Sequence, residues 1–137
     1  MARVVLDPRG FWLTLLHRPD ESPWGRLGQA WRSGKTTLCV SPGLMAHYMG
    51  PIQGSGAVAL GIDENLLAKI GWLLRQQAEW FQPEPGPELV GEPWDRLAWL
   101  TLAARPDALV VADERLADWP EPIGAPVLTE PTAAMAP

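Results

Sequence analysis

The sequence predicts a three-layer α/β/α fold around a central, mainly parallel sheet of four to five strands. Segments typical of strands alternate along the chain with segments typical of helices. The strand candidates are apolar throughout, which is typical of strands covered on both faces of a parallel sheet. The chain has 137 residues, a length that suits one domain with one core. We expect this domain to span 1–130, followed by a loose tail at 131–137.

The N-terminal half contains two units in which a strand precedes helical segments. A β-branched run that ends at Asp7 predicts the first strand, and an apolar run after Lys35 predicts the second. Gly34 ends the helix before the second strand, and Ser41 followed by Pro42 is typical of a helix start. In chain order we predict a strand at 3–6, helices at 10–17 and 24–32, a strand at 36–40 and a helix at 42–49.

A glycine-rich loop at 50–61 precedes the clearest amphipathic helix of the chain. Asp63 is its predicted N-cap, apolar residues recur at threes and fours from Leu66 to Phe81, and Pro83 stops it. The remaining predicted elements are a helix at 96–104, a strand at 108–111, a short helix at 114–119 and a strand at 126–129.

Composition narrows the class of function. The formal net charge of -5 argues against a broadly basic nucleic-acid surface, so RNA would have to meet a local patch. The single cysteine, Cys39, lies in an apolar run, so no internal disulfide can form and the thiol is expected to be buried and inert. No apolar stretch reaches the roughly 20 residues that cross a bilayer. We therefore expect a cytoplasmic protein without a membrane partner.

Carboxylates mark the predicted strand ends. Asp7 and Asp113 follow the two strongest strands, and Asp95, like both of them, comes directly before a predicted helix. One interpretation is that all three are N-caps that accept backbone hydrogen bonds. The other is that they converge at the carboxyl edge of the sheet, where ligands of open α/β sheets collect, and share a divalent cation. The two interpretations are compatible, because a capping carboxylate can keep one oxygen for the pocket.

Four segments of the chain resemble, in the same order, the conserved regions of the PIN-domain family, which includes many toxin nucleases of bacterial toxin–antitoxin pairs. They are RVVLDPRGFWLTLL, TTLCVSPGLMAHY, EPWDRLAWLTLAARPDALVVADERL and PVLTEPTAA. The resemblance covers nearly the whole chain. It implies the same three-layer fold and a cluster of acidic residues that bind Mg²⁺ or Mn²⁺ for RNA cleavage.

The resemblance assigns catalytic and metal-binding roles to three aspartates and shows departures at three other positions. Asp7, Asp95 and Asp113 match the family's first, central and last acids. A glutamate of the family pattern falls on His47, which suits Mg²⁺ poorly because that ion prefers hard oxygen donors. Arg9 and Arg115 also stand where the pattern has other residues. If these arginines point inward, we expect salt bridges with the aspartates in place of a metal. The alternative is that both face solvent.

Two functions stay open from the sequence. The first is a divalent-metal-dependent endoribonuclease with a degraded active site, of the kind found as the toxin of a toxin–antitoxin pair. The second is a catalytically inactive PIN-fold module that binds RNA, an antitoxin-like protein or a second copy of itself. A homodimer is expected, because PIN domains often pair and interfaces favour Trp and Arg. The eight tryptophans are assigned mainly to the core or to such a face, with Trp12 and Trp94 as candidate RNA contacts.

Overall fold

The computed structural model of the chain describes residues 2–50 and 62–132. Its described part contains one parallel five-stranded sheet within a three-layer α/β/α fold, which confirms the predicted class. The predicted loop at 50–61 and tail at 131–137 lie almost wholly outside the described residues. The strands are β1 (Ala2–Leu6), β2 (Thr36–Val40), β3 (Ala78–Trp80), β4 (Ala108–Val110) and β5 (Val127–Leu128), in the spatial order β3-β2-β1-β4-β5.

Short polar caps begin most of the helices, and those at Asp7, Ser41 and Asp63 were predicted from the sequence. The side chains of Asp7, Ser22, Ser41 and Asp63 each accept a backbone N–H from the first turn of the helix that follows, which satisfies a donor with no partner inside the helix. The helices are α1 (Pro8–Leu16), α2 (Pro23–Arg32), α3 (Pro42–Tyr48), α4 (Glu64–Gln76) and α5 (Asp95–Ala104), with a 3₁₀ turn at Glu114–Leu116. Among these described helices, none is long and apolar enough to cross a bilayer.

The predicted extension of the amphipathic helix to Phe81 is wrong. The helix ends at Gln76, and β3 follows and pairs in parallel with β2. The Trp80 indole N–H donates to the carbonyl of Leu74 at 2.9 Å and so satisfies a carbonyl at the helix end. The apolar spacing continued past the helix because Ala78 in β3 and Phe81 directly after it also pack against the core, a tertiary effect that periodicity alone does not reveal.

The core is built on the central strands and the aromatic side chains above them. The residues at 4–6 of β1, the whole of β4 and most of β2 are almost completely buried, including Cys39 as predicted. Burial also raises the pKa of the Cys39 thiol to about 11, which favours its unreactive protonated form. Phe11 stacks on Tyr48 with ring centroids 4.4 Å apart, and the Tyr48 hydroxyl donates to the carbonyl of Leu6.

The tryptophans divide between the core and the surface. Trp12 and Trp31 are buried as predicted, and their indole N–H groups donate to backbone carbonyls at 2.7 Å each. Trp72 and Trp80 are each 47% exposed. They do not fill the core, and the prediction that such indoles form a dimer face stays a prediction.

Candidate functional site

Parallel pairing brings the ends of β1 and β4 together at the carboxyl edge of the sheet. Leu6 is in register with Val110, and the Asp7 amide donates to the Val110 carbonyl at 3.2 Å. The residues that follow each strand are therefore neighbours in space, although they lie far apart in sequence. This register places Asp7 beside the turn that carries Asp113.

Asp7 is a buried carboxylate held by three backbone amides. One oxygen, Oδ1, accepts the N–H groups of Gly10 at 2.8 Å and Ala112 at 3.0 Å. The other, Oδ2, accepts the N–H of Asp113 at 2.9 Å. The residue has no exposed surface. Asp7 is thus both the N-cap of α1 and the connection between the end of β1 and the turn after β4.

Burial decides the titration of Asp7. Removal from water raises the pKa of this carboxyl above its ordinary value, and the three amide donors offset the rise only in part. The negative charge of Asp113 acts in the same direction as burial.

Asp113 is paired with Arg115, in agreement with the predicted salt bridge. The guanidinium donates Nε to Oδ1 at 3.0 Å and Nη2 to Oδ2 at 2.7 Å, and the Arg115 amide adds a bond to Oδ1 at 3.1 Å. This pairing, with a smaller contribution from the charge of Arg9, holds the pKa of Asp113 below its ordinary value. The Arg115 side chain is nevertheless 82% exposed, and Arg9 is also exposed. The structure therefore combines the two predicted alternatives, because Arg115 lies on the surface and still pairs with the carboxylate.

Asp95 is not an N-cap, which corrects one of the two interpretations given to it. Trp94 occupies the cap position, and Asp95 is the first residue of α5. Its buried carboxylate accepts the backbone N–H groups of Leu89, Val90 and Gly91 at 2.9 to 3.1 Å. The donors come from the segment before the helix because that segment folds back over the first turn of α5.

The three predicted site aspartates therefore divide into an adjacent pair and a separately bound residue. Asp7 and Asp113 are neighbours, whereas the Asp95 carboxylate is held by its own loop. In the described residues, no group of three or more His, Cys, Asp and Glu side chains is placed to hold a metal ion. Each of the six carboxylate oxygens already accepts at least one protein N–H group, so Mg²⁺ or Mn²⁺, which need several oxygen ligands, would compete with these donors.

His47 lies beside the start of α5. Its ring meets the indole of Trp94 edge-on, with centroids 5.1 Å apart. Burial, and secondarily the charge of Arg96, lower the pKa of the imidazole, which favours its neutral form. Nε2 is buried and has no hydrogen-bond partner among the residues that the structure describes. The predicted role of His47 as a modifier of the aspartate site has no contact here that supports it, and the role stays a prediction.

A cleft of about 730 Å³ opens between α3, the segment 82–88 and α5. Its wall is fixed by α5: the Trp99 indole N–H donates to the Pro87 carbonyl at 3.0 Å, one helical turn after Asp95. A Cβ on Gly86 would come within 2.8 Å of the Trp99 ring, so the segment lies directly against the indole. The cleft is lined by Ser41, Pro42, Gly43, Gln82, Pro83, Pro85, Gly86, Glu88, Glu92, Asp95, Arg96 and Trp99.

This cleft was not predicted from the sequence. A signal was present, because a run of alternating prolines, QPEPGPE, precedes an aspartate and a tryptophan four residues apart. Residues at that spacing lie on one face of a helix. Both can form hydrogen bonds with the backbone of an extended segment that belongs to no helix or strand.

Comparison of the chain with protein-family models, with curated proteins and with solved structures found no match. The resemblance to PIN domains, which rests on the four segments quoted above, therefore stays a prediction.

Proposed function

We propose that this protein is a catalytically silent α/β module of PIN-like fold that acts by binding a partner rather than by metal-dependent RNA cleavage. One observation carries the proposal: every predicted metal ligand already has protein donors. Asp7 and Asp95 each accept three backbone amides, and Asp113 accepts a bidentate guanidinium. A divalent cation would have to compete with these donors and with the positive charge of Arg115.

A protein partner fits the charge of the molecule better than RNA does. The net charge is -5, and phosphate binding draws most of its affinity from clustered Lys and Arg. Two surface indoles, Trp72 and Trp80, supply the kind of side chain that protein interfaces favour. An antitoxin-like protein or a second copy of this chain belongs to this class of partner.

The competing hypothesis, a divalent-metal ribonuclease, keeps one supporting observation. Asp7 and Asp113 are adjacent at the carboxyl edge of the sheet, where α/β folds place their ligands. Removing the Arg115 guanidinium would leave Asp113 open to a cation. A metal assay therefore separates the two hypotheses.

The test is calorimetric titration of Mn²⁺ and Mg²⁺ into wild type, Asp113→Asn and Glu114→Gln, with cleavage of a mixed RNA substrate measured in parallel. Asp113 is preferred to Asp7 because its replacement removes no buried amide acceptor. Glu114→Gln is the matched control, since it removes an equal charge from the neighbouring exposed position. We expect no metal uptake at millimolar concentration and no metal-dependent RNA cleavage by any of the three proteins.

Metal-dependent cleavage by wild type and Glu114→Gln that disappears in Asp113→Asn would overturn the proposal. Cleavage that persists in all three proteins would come from a contaminating ribonuclease or from a site that does not include Asp113. A second preparation purified through unfolding and refolding distinguishes these two sources, and activity retained there also counts against a silent module.

A further inference from the structure

The cleft between α3, the segment 82–88 and α5 has the size of a ligand site. Its volume is about 730 Å³, inside the range of roughly 300 to 1,000 Å³ typical of small-molecule pockets. It lies at the carboxyl side of β2 and β3, where Ser41 and Gln82 follow those strands. This is the edge at which open parallel sheets bind ligands.

The cleft wall is held in place before any ligand arrives. Asp95 binds three amides of the segment at 89–91, and Trp99 binds the Pro87 carbonyl. The alternating prolines restrict the backbone further, because each fixes one dihedral angle. A wall that is already ordered loses little conformational entropy on binding, which favours a specific ligand.

The lining is acidic and carries one flat aromatic side chain. Glu88 and Glu92 are exposed in the lining, and Arg96 is its only cationic member among the described residues. The Glu92 and Arg96 side chains form an ion pair at 3.3 Å and are 57% and 42% exposed. A solvated pair of this kind contributes little, so an incoming cation can compete for Glu92. The Trp99 indole N–H is occupied by Pro87 and Gly86 lies against the five-membered ring, so contact with a ligand falls to the rest of the indole.

We infer that this cleft binds an organic cation, a guanidinium or alkylammonium group, between the carboxylates of Glu88 and Glu92 and the Trp99 ring. Carboxylates supply charge complementarity, and an indole face attracts cations through its quadrupole. The inference rests on the binding role proposed above and names its chemistry. Such a group can come from a small amine or from an Arg or Lys side chain of a partner peptide.

The experiment is a titration followed by amide and indole N–H resonances in NMR spectra of the ¹⁵N-labelled full chain at fixed ionic strength. The probes are ethylguanidinium, butylammonium and a blocked tripeptide with a central arginine. Ethylurea is the uncharged isostere of the first probe, and acetate is the anionic control. The Trp99 indole resonance is assigned from its loss in Trp99→Phe. We expect saturable shifts of that resonance and of the Glu88 and Glu92 amides with the cationic probes alone.

Charge variants test which carboxylates act. The double variant Glu88→Gln/Glu92→Gln should weaken binding by about tenfold or more. Glu84→Gln is the matched control, because Glu84 lies on the same exposed segment but does not line the cleft, and it should bind like wild type. Tighter binding of the tripeptide than of either small cation would identify a peptide source. The reverse order would identify a small amine, and both orders support the site.

Equal shifts with ethylurea, binding of acetate instead, or equal weakening by Glu84→Gln would overturn the inference. An absence of saturable shifts with every cationic probe would overturn it as well. These failures leave the metal and RNA assays on Asp113→Asn unaffected, so they are distinguishable from a failure of the proposed function.

Discussion

Two buried aspartates at the carboxyl side of the sheet make the same kind of hydrogen bond but stabilise different parts of the molecule. Asp7 and Asp95 each accept three backbone amides and have almost no exposed surface. Two donors to Asp7 lie 105 and 106 positions away in the chain. The donors to Asp95 lie 4 to 6 positions away. The first network joins the two halves of the domain, whereas the second orders one local segment.

A carboxylate at a strand or helix end is therefore not by itself a catalytic feature. Backbone amides satisfy both Asp7 and Asp95, and amide donors stabilise a charge in a buried setting without a metal. Removal of the Asp7 carboxylate should therefore lower the stability of the whole domain, whereas removal of the Asp95 carboxylate should mainly disorder one segment.

The largest effect is expected from Asp7→Ala. The variant leaves buried amides of α1 and of the turn after β4 without an acceptor, and it releases the connection between β1 and that turn. We expect a loss of about 3 to 5 kcal/mol in the free energy of unfolding, measured by urea denaturation. Asp63→Ala, which removes an exposed N-cap, should cost only about 1 kcal/mol. Similar losses for the two variants would contradict the long-range role of Asp7.

Asp95→Ala should lower the free energy of unfolding less than Asp7→Ala does, and its effect should be concentrated in one segment. We expect about 1 to 3 kcal/mol of global destabilisation and a selective loss of hydrogen-exchange protection at Leu89, Val90 and Gly91. Amides of β1 and β4 should keep their order of protection, because they do not bind this carboxylate. A uniform fall in protection across the sheet would mean that Asp95 acts globally, as Asp7 does.

The pH dependence of stability should have opposite signs at Asp7 and Asp113. Burial raises the pKa of Asp7 above 3.8, so its contribution is fully present below 3.8 and is lost as the pH rises through the folded-state pKa. Arg115 lowers the pKa of Asp113, so that contribution is present above 3.8 and is lost as the pH falls through the folded-state pKa.

The measurement is the free energy of unfolding of wild type, Asp7→Asn and Asp113→Asn, from acid pH to neutrality. The loss of unfolding free energy in Asp7→Asn, relative to wild type, should shrink as the pH rises. The loss of unfolding free energy in Asp113→Asn, relative to wild type, should grow as the pH rises through the acid range. Parallel profiles for the two variants would show that the two carboxyls share one environment, contrary to the geometry.

The smallest effect on stability is expected from Arg115→Ala, because the guanidinium is 82% exposed. Its effect should instead appear in the pKa of Asp113, which should rise towards 3.8 in a carboxyl-detected NMR titration. Arg9→Ala is the matched comparison and should move that pKa in the same direction by less, because Arg9 acts only through its charge. An equal response to both variants would argue against the bidentate pair.

The fold class followed from apolar strands and capped helices, because these signals are local. Ser41 with Pro42 and Asp63 behaved as predicted. The end of α4 did not, since Ala78 leaves the helical pattern only because β2 offers it a strand partner. Long-range pairing of this kind has no sequence period to reveal it.

The candidate site was partly predictable for the same reason. The adjacency of Asp7 and Asp113 follows from parallel strands alone. Asp95 could not be placed, because the segment at 89–91 has no periodicity and its amides turn towards the helix that follows. The direction of the Arg115 side chain depends on the 3₁₀ turn after Asp113, which no spacing rule supplies.

The position of β1 in the middle of the sheet governs how this chain can be synthesised. Among the described strands, β1 leaves the ribosome before both of its neighbours, β2 and β4. The Asp7 carboxylate must wait for two of its amide donors, which lie 105 and 106 positions later in the chain. At roughly 5 to 20 residues per second, that interval lasts about five to twenty seconds. Until it ends, one side of an apolar strand stays open, so the nascent chain has a period in which a chaperone can bind it before the domain closes.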